Sequence, residues 1–172
     1  MKSPARRLDP AEIDASYRAY GASVLRRARR LLGDEDEARD VLHEVFMSLI
    51  ESPQQVRGTG PLLAWLYGAT THASLNRLRN QRTRARLVAA DNAAMGAGAP
   101  PGAERDAIVR DLLARIPAEL AKVAVYYYAD EMTHEEIAAV LDCSRRHVGD
   151  LVERLHESVR AVVSPSPQEV EP

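Results

Sequence analysis

Residues 34–50, DEDEARDVLHEVFMSLI, decide the fold, because their two faces ask for different surroundings. Ala38, Val41, Leu42, Val45, Phe46 and Leu49 recur at the spacing that gathers side chains on one side of an α-helix, so that side belongs to a core. The opposite side carries Asp36, Asp40, Glu44 and Glu51 with His43 and Met47 among them, and no lysine or arginine shares it. Asp40 and Glu44 stand four residues apart and repel. Acid at residues 34–37 is explained by the helix dipole and by Asp34 capping with Glu37, but Asp40, Glu44 and Glu51 lie beyond the first turn. Two readings of that side stay open: a solvated stripe, or a docking surface for a basic partner.

Outward from this helix, the charge is segregated. The 172 residues sum to −2, yet residues 1–32 carry +5, residues 33–53 carry −6 and residues 54–90 carry +6. The average hides a basic surface. No apolar run approaches a membrane span and the N-terminus lacks a signal-peptide core, so the expected location is the cytoplasm, without membrane insertion. Cys143 is the only cysteine, which excludes an internal disulfide and disfavours a structural zinc site.

Before the acidic helix, Asp9-Pro10-Ala11-Glu12 has a cap residue, proline at the first helical position and a capping-box glutamate. A helix follows with Ile13, Tyr17, Tyr20, Val24, Leu31 and Leu32 at helical spacing, stopped by Gly33. Arg26, Arg27, Arg29 and Arg30 crowd its end, where they suit the dipole and can pair with the acidic helix, or serve a nucleic acid.

After the acidic helix, residues 54–60, QQVRGTG, read as a loop, and Pro61 opens a third helix with Leu62, Leu66, Ala69, Ala73, Leu75 and Leu78 toward a core. Trp65 and Tyr67 on it are either core residues or platforms for bases. Asn76, Arg77, Arg79, Arg82, Arg84 and Arg86 come next, and residues 54–90 contain no acid. Such a run reads as a phosphate-binding surface.

Residues 87–106, rich in Ala, Gly and Pro, are expected to be a flexible linker. A second helical domain, 107–163, then opens with Ile108, Leu112 and Leu113 inward and restarts at Ile116-Pro117. Tyr126, Tyr127 and Tyr128 are divided between core and rim. Thr133-His134-Glu135-Glu136 is a capping box for a short helix, Asp142-Cys143 a turn with Cys143 buried, and Ser144 the cap of a longer helix with Val148, Val152, Leu155 and Val159 inward. Short helix, tight turn and long helix spell a helix-turn-helix, against a plain helical hairpin. Residues 164–172 are expected to be a disordered tail.

These features together resemble a bacterial extracytoplasmic-function sigma factor over about residues 15–160. The family pattern D-A-x-D-x-x-Q-E-x-F-x-x-L is similar to Glu37-Ala38-Arg39-Asp40-Val41-Leu42-His43-Glu44-Val45-Phe46-Met47-Ser48-Leu49, with histidine for glutamine. F-R-G-x-x-x-F-x-x-W-L-Y resembles residues 56–67, and E-E-I-A-x-x-L with a serine-capped helix resembles Glu135 to Leu141 and Ser144. The implied fold is all-α: a region 2-like domain at 1–86 and a region 4-like helix-turn-helix at 107–163, joined by the linker. The implied function is to bind core RNA polymerase and direct it to promoters. Polymerase docking on the β′ clamp helices falls to Asp36, Asp40, His43, Glu44 and Met47, with the β flap as a second contact. The −10 element falls to Arg57, Trp65, Tyr67, His72, Asn76, Arg77, Arg79, Arg82 and Arg84. The −35 element falls to Thr133, Ser144, Arg145, Arg146, His147, Asp150 and Arg154. An anti-sigma factor is a further implied partner.

The chain departs from the family pattern in two places. An Arg-Asn pair of the family is replaced by Thr71-His72. The recognition-helix pattern S-x-x-T-V-K-S-R-L meets Ser144-Arg145-Arg146-His147-Val148-Gly149-Asp150-Leu151-Val152, placing Gly149 and Leu151 at two usual basic positions, with Asp150, Glu153 and Glu157 outward. That departure favours the alternative of a sigma-like adaptor or DNA-binding regulator that does not initiate by itself. No catalysis and no cofactor are expected, because His43, His72, His134, His147 and His156 form no metalloprotease spacing and neither a phosphate-binding glycine loop nor a nucleophile motif is present.

Overall fold

The computed structural model describes residues 9–51, 62–91 and 103–163, side chains of 88–91 and 103 excepted. The expected tail 164–172, the loop 54–60, Pro61 and Arg57 lie outside the described residues. Every element among the described residues is helical, in agreement with the all-α reading: α1 (Pro10–Leu32), α2 (Glu35–Glu51), α3 (Leu62–Asp91), α4 (Ala103–Arg115), α5 (Ala118–Ala124), a π-helical turn (Val125–Ala129), α6 (His134–Leu141) and α7 (Arg145–Val163). Two compact units divide the chain, residues 1–77 and 78–172. The division falls inside α3, ahead of the boundary at 86 that the sequence suggests. Helix also occupies both ends of 87–106, since α3 runs to Asp91 and α4 starts at Ala103.

In the first unit the local signals behave as written. Glu12 N donates to Asp9 Oδ1 at 2.8 Å and Asp9 N to Glu12 Oε2 at 2.9 Å, which occupies donors that a helix start leaves open. Gly33 takes φ 71° and its N–H caps the carbonyl of Arg29 at 2.8 Å. Most side chains would be strained in that left-handed conformation. Asp34 Oδ1 then accepts from Glu37 N at 2.8 Å, so α2 starts at once and folds back on α1. Tyr17 meets Phe46 edge-on with centroids 4.9 Å apart, which fixes the hairpin as antiparallel far from its turn. Ala38, Val41, Leu42, Val45, Phe46 and Leu49 are all buried, as their spacing requires. Each large apolar side chain removed from water there stabilises by about 1.5–3 kcal/mol.

Helix α3 is less regular. Leu66, Ala73, Leu75 and Leu78 are buried, while Leu62 and Ala69 are half-buried. A polar stripe, Thr70, Thr71 and Ser74, is buried beside them. Thr70 and Thr71 solve this by donating to the carbonyls of Leu66 and Tyr67, at 2.6 and 2.8 Å.

The second unit packs α5 and α6 on α7. Leu113, Ile116, Leu120, Val123, Tyr126, Ile137, Val148, Leu151, Val152 and Leu155 are buried. Three sequence expectations fail here, at Ile108, Cys143 and Val159. Ile108 is 64% exposed rather than inward. Leu151, at a position where the family pattern has a basic residue, is 1% exposed and completes the stripe Val148, Leu151, Val152, Leu155 at helical spacing. Cys143 and Val159 are half-buried rather than buried. After α5 the backbone widens into the π-helical turn, closed by Asp130 N donating to Val125 O at 3.0 Å. Tyr126 faces inward, Tyr127 is half-buried, and exposed Tyr128 hydrogen-bonds His156 with 2.6 Å between Oη and Nε2.

Candidate functional site

The outward side of α2 is the first candidate. Asp36, Asp40, His43, Glu44, Met47 and Glu51 are exposed, Met47 to 50%, opposite the buried stripe. Beside His43 and Met47 an open groove of about 510 Å³ runs between α1 and α2, with Pro10, Ile13, Tyr17, Phe46 and Ile50 as its apolar walls and Asp14 at its edge. Arg39 reaches Glu35 at 3.1 Å and Asp36 at 3.5 Å. Arg29 bonds Glu35 from α1; that hydrogen bond holds the Glu35 carboxyl below the usual carboxylate range.

The acidic side of α2 receives a cation from α3, Arg77. Its guanidinium comes from α3 and reaches Glu37 at 2.7 Å, Glu44 at 3.2 Å and Asp40 at 3.6 Å. Burial works against the charge of Arg77, but the bonds to Glu37 and Glu44 outweigh it and raise its pKa above the ordinary value. Arg77, assigned to DNA by the sequence, is therefore occupied by carboxylates of α2, two of which, Asp40 and Glu44, the sequence assigns to docking. The spacing of 33–40 residues between the partners left no local signal.

The other α3 residues divide by exposure. His72, Asn76, Arg84 and Arg86 are exposed, and Asn76 Nδ2 lies 3.1 Å from His72 Nε2. Arg79 is half-buried; Nη2 has no hydrogen-bond partner among the described residues, and burial lowers its pKa. Arg82 Nε donates to Asp111 at 2.9 Å. The five arginines are not equivalent. Trp65 and Tyr67 are both half-buried. One face of Tyr67 is covered by Arg27, whose guanidinium carbon lies 4.6 Å from the ring centroid. Arg27 itself is buried, and its Nε donates to Thr71 Oγ1 at 3.0 Å. The sequence reading weighed Arg27 only as part of a basic run.

In the second unit α6 and α7 are joined by three residues, Asp142 to Ser144, with Asp142 in the left-handed region at φ 52°. Glu136 N donates to Thr133 Oγ1 at 3.3 Å and Thr133 N to Glu136 Oε2 at 2.8 Å, so the capping box is formed. Hydrogen bonds from the Thr133 backbone and hydroxyl lower the Glu136 pKa. Ser144 Oγ accepts from His147 N at 3.1 Å and starts α7. Arg145, Arg146, His147, Asp150 and Arg154 are all exposed. Arg145 pairs with Glu135 at 2.7 Å, while Arg154 and His147 approach Glu119 at 3.8 and 3.9 Å. Thr133 and Ser144 thus have local structural work, and three of the basic groups have acidic neighbours. Gly149 leaves space: nothing lies within 4 Å of an added Cβ.

Among the described residues no cluster of three or more His, Cys, Asp or Glu could hold a metal ion, and no helix is long and apolar enough to cross a membrane. Comparison with known proteins shows likenesses to sigma factors. Residues 16–84 match the model of sigma-70 region 2. The chain is 28% identical over 165 residues to the ECF RNA polymerase sigma factor SigL of Mycobacterium tuberculosis, covering 93% of this chain and 92% of that one. It is 25% identical over 169 residues to the RNA polymerase sigma-H factor of Pseudomonas aeruginosa, covering 86% and 88%. Among solved structures it shares its fold with the sigma factor RpoE of Bartonella quintana in complex with the anti-sigma factor NepR, at TM-score 0.51, 15% identity and coverage of 88% and 96%. CnrH in complex with the cytosolic domain of CnrY gives TM-score 0.52, 21% identity and coverage of 90% and 89%.

Proposed function

We propose that this chain, whose residues 16–84 are a sigma-70 region 2 domain and whose relatives are ECF sigma factors, binds core RNA polymerase through the outward side of α2 and directs it to promoter DNA. The observation that carries this reading is the make-up of that side. Asp40 and Glu44 supply charge, while half-exposed Met47 and Ile50 and the adjoining groove supply apolar contact. A helix from polymerase that bears cations beside apolar side chains fits both. Asp36 and His43 extend the same surface.

Helix α3 is assigned to the −10 element. Tyr67 and Trp65 offer rings to an unpaired base, His72 and Asn76 offer polar edges, and Arg84, with Arg79 and Arg82 nearby, offers cations to phosphate. The pair α6 and α7 is assigned to the −35 element as a helix-turn-helix, with Arg145, Arg146, His147 and Asp150 at the end of α7 that enters a major groove. The Bartonella sigma factor's complex with NepR suggests an anti-sigma factor as a partner here too.

Run-off transcription with core polymerase tests the reading. A promoter-dependent transcript is expected, and Asp40→Asn with Glu44→Gln should reduce both the transcript and core binding. A second reading, a sigma-like adaptor, is favoured by one feature: Arg145 and Arg154 face Glu135 and Glu119, and Asp150, Glu153 and Glu157 are exposed on the same helix. Core binding without any transcript on its promoters would select the adaptor.

A further inference from the structure

Three carboxylates on α2, at positions 37, 40 and 44, converge on one guanidinium from α3. Residues spaced by three and four fall on one stripe of a helix, and like charges so placed repel. Arg77 spans the stripe with Nη1 toward Glu37 at 2.7 Å and Asp40 at 3.6 Å, and Nη2 toward Glu44 at 3.2 Å. The side chain of Arg77 is 26% exposed, whereas those of Asp40 and Glu44 are 66% and 55% exposed. The cation thus lies beneath its partners, and the carboxylates keep open sides. Nε of Arg77 is buried without a hydrogen-bond partner among the described residues, so the cluster fixes the outer nitrogens at the cost of the inner one.

We infer that Arg77 is a built-in occupant of the polymerase-docking face, and that a basic partner binds Asp40 and Glu44 in competition with it. The inference rests on the docking reading above. The same two carboxylates serve both cations, so every increment of attraction that Arg77 takes from them is withheld from the partner. Arg77 thereby sets the affinity of the face. A partner cation at Asp40 and Glu44 also loosens the hold on Nη2, leaving Glu37 as the remaining anchor. Docking on α2 is in this way felt on α3, at a residue next to Asn76 and two positions before Arg79.

The test measures core polymerase binding by the full chain at several salt concentrations, for the wild type, Arg77→Gln, Arg77→Met, Asp40→Asn with Glu44→Gln, and that pair combined with Arg77→Gln. Both Arg77 variants are expected to bind core about two- to five-fold more tightly at low ionic strength, the range of a partly exposed ion pair. The gain should shrink as salt screens the face. It should vanish in the combined variant, where the carboxylates are gone. Thermal melting, recorded alongside, should show both variants folded. Binding that is unchanged or weaker in both Arg77 variants, while neutralising Asp40 and Glu44 still weakens it, overturns the inference and leaves the docking reading standing. Should neutralising Asp40 and Glu44 leave core binding untouched, the docking reading falls and takes the inference with it.

Discussion

Arg27 and Tyr67, forty residues apart, are stacked: the guanidinium carbon lies 4.6 Å from the ring centroid, and the same side chain bonds Thr71 one turn further along α3. The arrangement pins α3 to α1 through a buried charge. Arg27→Met keeps much of the volume but removes the cation, the hydrogen bond and the stacking, and should cost about 1–3 kcal/mol in a urea unfolding curve. In a cycle with Thr71→Val the two losses should be less than additive, because both variants break one bond. Fully additive losses would mean that the bond contributes nothing.

Acid should loosen α6 before the rest of its unit. The Glu136 pKa is lowered in the folded state by Thr133, so its contribution is present above the unfolded carboxylate pKa and is lost as pH falls through the lower folded value. Amide exchange at the start of α6 should therefore quicken as pH falls through the acidic carboxylate range, after allowance for intrinsic rates. Glu136→Gln should remove the pH dependence, and an undiminished dependence would assign it to another carboxylate.

The arginines of α3 should separate in salt titrations of promoter-complex binding. Arg84→Ala and Arg86→Ala remove exposed cations, and each should lower the log–log slope by roughly one if it meets a phosphate. Arg82→Ala breaks the ion pair with Asp111 and should change the slope less. Equal slopes for all three variants would contradict the ranking by exposure.

Gly149 lies in the interior of α7 with open space beside it, so Gly149→Ala should stabilise the protein by about 0.5–1 kcal/mol in thermal or urea melts. Gly149→Lys with Asp150→Ser should in addition strengthen duplex binding and steepen its salt dependence, since it exchanges an acid near phosphate for a cation. An unaltered duplex affinity would show that this side of α7 does not approach DNA.

What the sequence disclosed and what it hid follow from the range of the interactions. The Asp9–Glu12 and Thr133–Glu136 boxes, the Gly33 stop and the Ser144 cap are written within four residues, and each appears where local chemistry puts it. The buried stripe of α2 needed only periodicity. By contrast, Arg77 and Arg27 find partners more than thirty residues away, and a run of arginines looks the same whether its members are solvated, paired or buried. The polar stripe Thr70, Thr71 and Ser74 blurred the amphipathic pattern of α3. Leu151 is legible from its own spacing with Val148, Val152 and Leu155, which is why an apolar residue stands where the family pattern has a basic one.

The π-helical turn at Val125–Ala129 carries a consequence for how this chain tolerates changes of length. Such a turn takes one residue more than an α-helix needs for the same rotation, so it absorbs a single insertion while the helix before it keeps its register. Removing one residue would restore the narrower spiral and swing the following side chains by about 100°. Tyr126, now inward, and Tyr128, now bonded to His156, cannot both keep their places after that swing. A one-residue deletion here should thus act as a rotation of α6 against α7, felt at the turn of Asp142 to Ser144. The three consecutive tyrosines thus mark a place where losing one residue re-aims the side chains that follow.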